Sequence, residues 1–199
     1  MTRDPDTLRR SPRLPNYDYC QPGIYFVTIC VQDRRMMLGK IVHEAPCLSP
    51  VGLFAQQSWE SLPRHFPFVE LDMHVIMPNH FHGLIVINEL PQAGDPPLDP
   101  DPPQKEYPLG EVVRRFKALT TRAAHEAGIT DFDWQEQYWD AIIRSARHLH
   151  NIRRYILNNP AKWTQDLLYQ AQARARNARA GRTSPTRNHV VIPLDELPF

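Results

Sequence analysis

The apolar positions of this chain follow two different periods, and their alternation lays out the elements. Gly23 to Val31 is rich in Ile, Tyr, Phe, Val and Thr, which predicts a first strand. Ser49 followed by Pro50 supplies an N-cap and a proline at the first helical position. The helix opened there carries Leu53, Phe54 and Trp59 and is predicted to stop near Pro63. Phe68 to Ile76 reads as a second strand and His80 to Asn88 as a third. Met77-Pro78-Asn79 turns the chain between them, and so short a connection predicts a hairpin. Leu109, Val112, Val113, Phe116, Leu119 and Ala123 then recur at helical spacing, with Arg114, Arg115, Lys117 and Arg122 on the remaining surface. Gly128 closes that helix. Tyr138 to Arg144 predicts another strand, followed by a helix through Tyr155 that ends near Asn158, because a residue before proline avoids the helical region. Asn159 is therefore expected just past the last regular turn. The order β-α-β-β-α-β-α predicts an α+β fold, an antiparallel sheet packed with helices.

Composition changes this picture only at the edges. A chain of 199 residues suits one domain with a sizeable core. That domain is expected over 17–168, with a flexible basic arm at 1–16 and an Arg-rich helical extension and tail at 169–199. Proline, at 20 residues, is about twice the usual share. Seven of these prolines fall between Pro91 and Pro108 among several acids, so 91–108 is expected to be an extended loop insertion. Three cysteines, Cys20, Cys30 and Cys47, form no CxxC pattern and are expected to be reduced thiols. The N-terminus has no apolar leader and no stretch approaches a membrane span, so a cytoplasmic protein is expected.

The net charge of +1 hides a strong segregation. Residues 144–182 carry nine Arg and Lys side chains against Asp166 alone, while 89–106 carries five acids against Lys105. Local fields steer a polyanion to a surface, and the sum does not.

Two fragments carry the chemistry. In Met77-Pro78-Asn79-His80-Phe81-His82-Gly83 the two histidines flank one hydrophobic residue on a predicted strand. Strand side chains alternate, so His80 and His82 share a face and can share one metal ion. In Arg154-Tyr155-Ile156-Leu157-Asn158-Asn159-Pro160, Tyr155 and Asn159 are four apart and stack on one helical face. If that helix lies across the sheet, two imidazoles, an amide oxygen and a phenol converge. A phenol with a pKa near 10 is a weak nucleophile toward a charged phosphodiester, and a cation on the phosphate offsets the repulsion. Neutral imidazoles and an amide leave the cation its full charge, and water or phosphate oxygens complete a site suited to Mg²⁺ or Mn²⁺.

These residues resemble those of the single-tyrosine HUH transposases, named for histidine–hydrophobe–histidine. Within that group the chain is more similar to the REP-associated tyrosine transposases than to the shorter IS200/IS605 insertion-sequence enzymes. The likeness spans most of 17–168 and includes Tyr17-Asp18-Tyr19, Gly23 to Thr28, Phe116-Lys117-Ala118-Leu119-Thr120-Thr121, Trp139-Asp140-Ala141-Ile142-Ile143-Arg144 and Asn159-Pro160-Ala161-Lys162-Trp163. The resemblance implies a ferredoxin-like HUH domain. It implies Tyr155 as a nucleophile that forms a 5′-phosphotyrosine in single-stranded DNA and frees a 3′-OH. It implies His80, His82 and Asn159 as ligands of a divalent cation, Mg²⁺ or Mn²⁺. The expected partner is single-stranded DNA with hairpins, cut beside REP-like sequences. No nucleotide cofactor and no membrane are expected, and a monomer is favoured over a homodimer. Arg114, Arg115, Lys117, Arg153 and Arg154 are candidates for phosphate contact, and Trp134, Tyr138 and Trp139 for stacking on unpaired bases. No dedicated base for Tyr155 is visible.

Other classes share parts of this signature. Amidohydrolase-type metalloenzymes use His-x-His, but with further His, Lys and Asp ligands on a barrel too large for 199 residues. A replication-initiator or relaxase domain shares the chemistry, and the block from Trp139 to Arg144 argues against it. A domesticated hairpin-binding protein without transposition is the main alternative, and it has no need for His80, His82, Tyr155 and Asn159 together.

Overall fold

The computed structural model describes residues 17–19, 21–89 and 108–165. The expected basic arm, Cys20, the insertion at 91–107 and the Arg-rich extension lie outside the described residues.

The first strand, β1 (Gly23–Cys30), leads through a 3₁₀ turn into a short hairpin of β2 (Gly39–Val42) and β3 (Ala45–Leu48). Helices α1 (Pro50–Glu60) and α2 (Leu62–His65) follow, then β4 (Val69–Met77), β5 (His80–Ile87), α3 (Pro108–Glu126), β6 (Trp139–Ile143) and α4 (Ala146–Asn158). A 3₁₀ turn at Pro160–Gln165 ends the described chain. The main sheet has the order β4-β5-β1-β6 with antiparallel neighbours throughout. Counting only its strands, that is 2-3-1-4, the ferredoxin-like arrangement that the family resemblance implied.

Local chemistry places the helices. Ser49 caps α1 by accepting from the Gly52 amide at 3.1 Å, and its hydroxyl donates to the Met37 carbonyl at 2.6 Å. Pro63 does not itself stop the helix. It sits in the first turn of α2, where a missing N–H is harmless. Of the three large apolar residues of α1, Trp59 is fully buried and Leu53 is 49% exposed.

Period-two alternation splits the core into two layers. Tyr25, Val27, Ile29, Phe81 and Ile85 point toward α1 and α3, where they meet Trp59, Leu62, Val112 and Phe116. Phe26, Leu84, Val75 and Met77 point the other way and pack under Ile152 and Ile156 of α4 and under Trp163. Gly83 lies between Phe81 and Ile85 on the first face, and a Cβ there would sit 2.5 Å from Trp59 Cζ2. The glycine is what lets α1 lie so close to the strand that carries the histidines.

Two features escaped the sequence reading. The β2–β3 hairpin turns on His43 and Glu44, both at positive φ (47° and 63°). Tight hairpin turns usually mark such positions with Asn or Gly. In β4 the pairing shifts by one residue between Leu71 and His74, a β-bulge. The bulge brings consecutive residues to the α4 side: Met73 packs in that layer and Asp72 bonds Arg153 of α4. A third difference concerns Asn159. The regular helix ends at Asn158 as expected, yet Asn159 keeps helical angles (φ −59°, ψ −44°) before Pro160. The ladder stops for want of the proline N–H, and the chain tightens into the 3₁₀ turn.

Candidate active site

His80 and His82 are both fully buried on the face of β5 that α4 covers, with ring centroids 4.5 Å apart. Phe81, between them, faces the opposite layer against Trp59 and Phe116. Phe26 stacks on His82 at 5.3 Å, and Trp163 packs against His80 at 6.0 Å. From α4, Tyr155 presents its ring edge to His82 at 5.3 Å, and its hydroxyl lies 3.3 Å from His82 Nε2. Asn159, one turn further on, is buried, and its Oδ1 has no hydrogen-bond partner among the described residues. A buried carbonyl oxygen left in that state is a ready acceptor for a ligand or ion.

Two anchors set the position of α4. Ser145 caps its N-terminus by accepting from the His148 amide at 3.1 Å. Arg153 donates to Asp72 Oδ2 through Nε at 2.9 Å and Nη2 at 2.6 Å, which ties the helix to the bulge of β4. That bridge lies two residues from Tyr155.

The protonation of His80 follows from its neighbours. Burial, aided by the positive charge of Arg34, pushes its pKa down to about 3. The imidazole is neutral at physiological pH. Its Nδ1 lies 2.7 Å from Asn79 Oδ1, and an amide oxygen only accepts, so the proton sits on Nδ1 and the lone pair on Nε2. A neutral imidazole with a defined lone pair is a good metal ligand. His82 Nδ1 instead meets the hydroxyl of Thr28 at 2.8 Å.

The donor set fits a divalent cation of moderate hardness: two neutral imidazoles and an amide oxygen, with the remaining positions left to water or phosphate. No group of three or more His, Cys, Asp and Glu side chains suited to a metal stands among the described residues, so the third protein donor of this set is the amide oxygen of Asn159.

No family model matches the chain. A Haemophilus influenzae protein named only "Uncharacterized protein" is 40% identical over 168 residues, 81% of this chain and 93% of that one. A second protein of that organism, named "Putative REP-associated tyrosine transposase", is 27% identical over 152 residues, 75% of this chain and 77% of the relative. A solved structure of a REP-associated tyrosine transposase bound to a REP hairpin superposes with a TM-score of 0.52 at 21% identity, covering 75% of this chain and 73% of that one. The chain shares the fold of that REP-associated tyrosine transposase structure. It belongs to one sequence family with the 40% identical Haemophilus influenzae protein.

Within this transposase fold the five cationic candidates part company. Arg114, Arg115 and Lys117 lie on α3, across the sheet from the histidines. Arg114 pairs with Glu111, and Arg115 Nη2 lies 3.2 Å from His65 Nδ1. Lys117 is largely buried and donates to the carbonyls of Gln135 and Glu136 at 2.8 and 2.9 Å. Burial pushes its pKa down to about 8. Lys117 and Arg114 border an open cleft of about 490 Å³, whose lining also holds Asp133 and Glu136, so its charge is mixed. Arg153 is committed to Asp72, and Arg154 is exposed on the helix of Tyr155. The stacking candidates also divide: Trp134 and Tyr138 are buried in the core, and Trp139 is half-buried on β6.

Sequence reasoning missed Thr28, Asn79 and Asp72. Asn79 stood next to His80 in the quoted motif and could have been singled out as a helper. Thr28 and Asp72 depend on strand register and on a bulge, which local pattern does not encode. No described helix is long and apolar enough to cross a membrane.

Proposed function

We propose that the chain is a metal-dependent transposase that cuts and rejoins single-stranded DNA beside REP-like hairpins through a 5′-phosphotyrosine. The observation that carries this reading is the placement of the Tyr155 hydroxyl 3.3 Å from His82 Nε2, with the buried oxygen of Asn159 one turn along the same helix. The same helix thus brings a phenol and an unpartnered amide oxygen to the two adjacent buried histidines. The relatives and the structural neighbour support the class of reaction.

In this reading Tyr155 Oη forms a bond to phosphorus as the P–O3′ bond breaks and a 3′-OH departs. The proton lost by the Tyr155 phenol is balanced by the proton that O3′ takes up as it departs. Attack by a 3′-OH reverses the reaction and joins ends without an external energy source. His80, His82 and Asn159 are the residues that would hold a divalent cation, Mg²⁺ or Mn²⁺, which would supply positive charge to offset that of the phosphodiester. Tyr155 is half-buried with its ring edge-on to Phe26, so part of the side chain faces solvent. Exposed Arg144, Arg147, Arg154 and Lys162 surround α4 and suit its phosphates better than the α3 cluster does. Such a protein works where chromosomal DNA lies, in the cytoplasm.

The test is covalent capture. Wild-type protein mixed with a single-stranded hairpin oligonucleotide and Mg²⁺ should give a protein–DNA adduct on denaturing gels. Tyr155→Phe should lose the adduct and retain hairpin binding, and duplex DNA of the same sequence should give none. An adduct of full yield in Tyr155→Phe overturns the assignment. Hairpin binding with no adduct in the wild type would favour the pure binding protein.

A further inference from the structure

His80 and His82 receive the same support in form but not in kind. The partner of His80 Nδ1 is an amide oxygen, which leaves one tautomer. The partner of His82 Nδ1 is a hydroxyl, which can donate or accept.

We propose that Thr28 is a positioning residue for the cation: its hydroxyl accepts the Nδ1 proton of His82 and keeps Nε2 unprotonated on the side of Tyr155. This rests on the reading of His80, His82 and Asn159 as a cation site. Thr28 and His82 are direct partners in the β1–β5 register, their polar atoms are 2.8 Å apart, and both side chains are buried. Two hydrogen-bond patterns are compatible with the Thr28–His82 and His82–Tyr155 distances. In one, the threonine O–H donates to Nδ1 and Nε2–H donates to the Tyr155 oxygen. In the other, Nδ1–H donates to Thr28 and the Tyr155 O–H donates to Nε2. Only the second leaves a lone pair on Nε2, so only that tautomer can bind a cation through Nε2.

Loading therefore selects the form in which a buried N–H needs an acceptor. Thr28 Oγ1 is that acceptor. Valine has nearly the same shape and an equal liking for a strand, but offers no oxygen. The outer-shell partners of metal-binding histidines act in this way in general, by fixing tautomer and ring orientation. In this fold the control comes from the central strand β1, paired across 54 positions of sequence.

The experiment compares wild type, Thr28→Val and Thr28→Ser. Calorimetric titration with MnCl₂ near neutral pH reads affinity, and ¹⁵N shifts of the imidazoles in the Mg²⁺-loaded protein read the tautomer. Thr28→Val should bind Mn²⁺ about 10- to 100-fold more weakly. Thr28→Ser should recover most of that loss, and His82 Nδ1 should carry the proton in loaded wild type. Equal affinity in Thr28→Val, or an unprotonated Nδ1 in loaded wild type, overturns the proposal. If Thr28→Val does not fold, the wild-type tautomer and the serine variant still decide it. Wild type that binds no Mn²⁺ at all overturns the cation reading itself, a separate and recognisable failure.

Discussion

His80 should make the stability of this protein fall with acid, and His80→Gln should remove that dependence. The imidazole is fully buried, and its pKa is pushed down from 6.5 to about 3, first by burial and then by Arg34. The sign follows from linkage. The unfolded chain takes up a proton on this residue as pH drops through 6.5, whereas the folded chain does not until about pH 3. Stability from this site is thus complete above pH 6.5 and is lost progressively as pH falls toward 3. Each pH unit inside that window is worth about 1.4 kcal/mol, so moving from about pH 7.5 to about pH 4.5 should remove roughly 3 kcal/mol. The assay is urea unfolding of wild type and His80→Gln at both pH values, in EDTA so that no cation contributes. Carboxylates and the other histidines titrate in both proteins, so their effects cancel in the gap between the two. That gap should shift by roughly 3 kcal/mol against the wild type on acidification. A gap that does not move with pH would falsify the argument, because His80 would then titrate as an ordinary exposed histidine. The point bears on function. A histidine that stays neutral down to low pH remains a usable ligand across the whole physiological range.

Other consequences can be measured alongside it. Gly83→Ala would push a methyl to within 2.5 Å of the Trp59 ring, so thermal unfolding should show a loss of about 1–3 kcal/mol; an unchanged midpoint would mean that α1 does not rest on β5 as described. His80→Ala and His82→Ala should each eliminate cleavage of hairpin DNA in Mg²⁺ while leaving gel-shift binding largely intact, and Asn159→Ala should be milder because water can replace an amide oxygen. Full cleavage by the double histidine variant would make these residues purely structural. Because the Tyr155 O–H and a cation use the same lone pair of His82, Tyr155→Phe should bind Mn²⁺ at least as tightly as wild type, and weaker binding would contradict that competition. Arg154→Ala should weaken hairpin binding and lower its salt dependence, whereas Arg114→Ala, on the far side of the sheet, should do neither; the opposite ranking would move the DNA path to α3.

The sequence by itself determined the strands of the main sheet, the three longer helices and their local faces. Alternation in β5 put His80 and His82 on one side and Phe81 on the other, and helical spacing put Tyr155 and Asn159 together. The Ser49-Pro50 cap, the Met77-Pro78-Asn79 turn and the end of α4 before Pro160 were equally legible, because each is a property of a few adjacent residues. Only the tertiary structure decided which elements share a layer. It placed α4 over the histidine face and α3 behind it, which separates Arg114, Arg115 and Lys117 from the site they were expected to serve. It also set the register that pairs Thr28 with His82, the bulge that turns Asp72 toward Arg153, and the hairpin through His43 and Glu44. Periodicity records where a side chain points relative to its own backbone. Which distant segment it meets depends on strand pairing and layer packing, and these are settled only when the whole core closes.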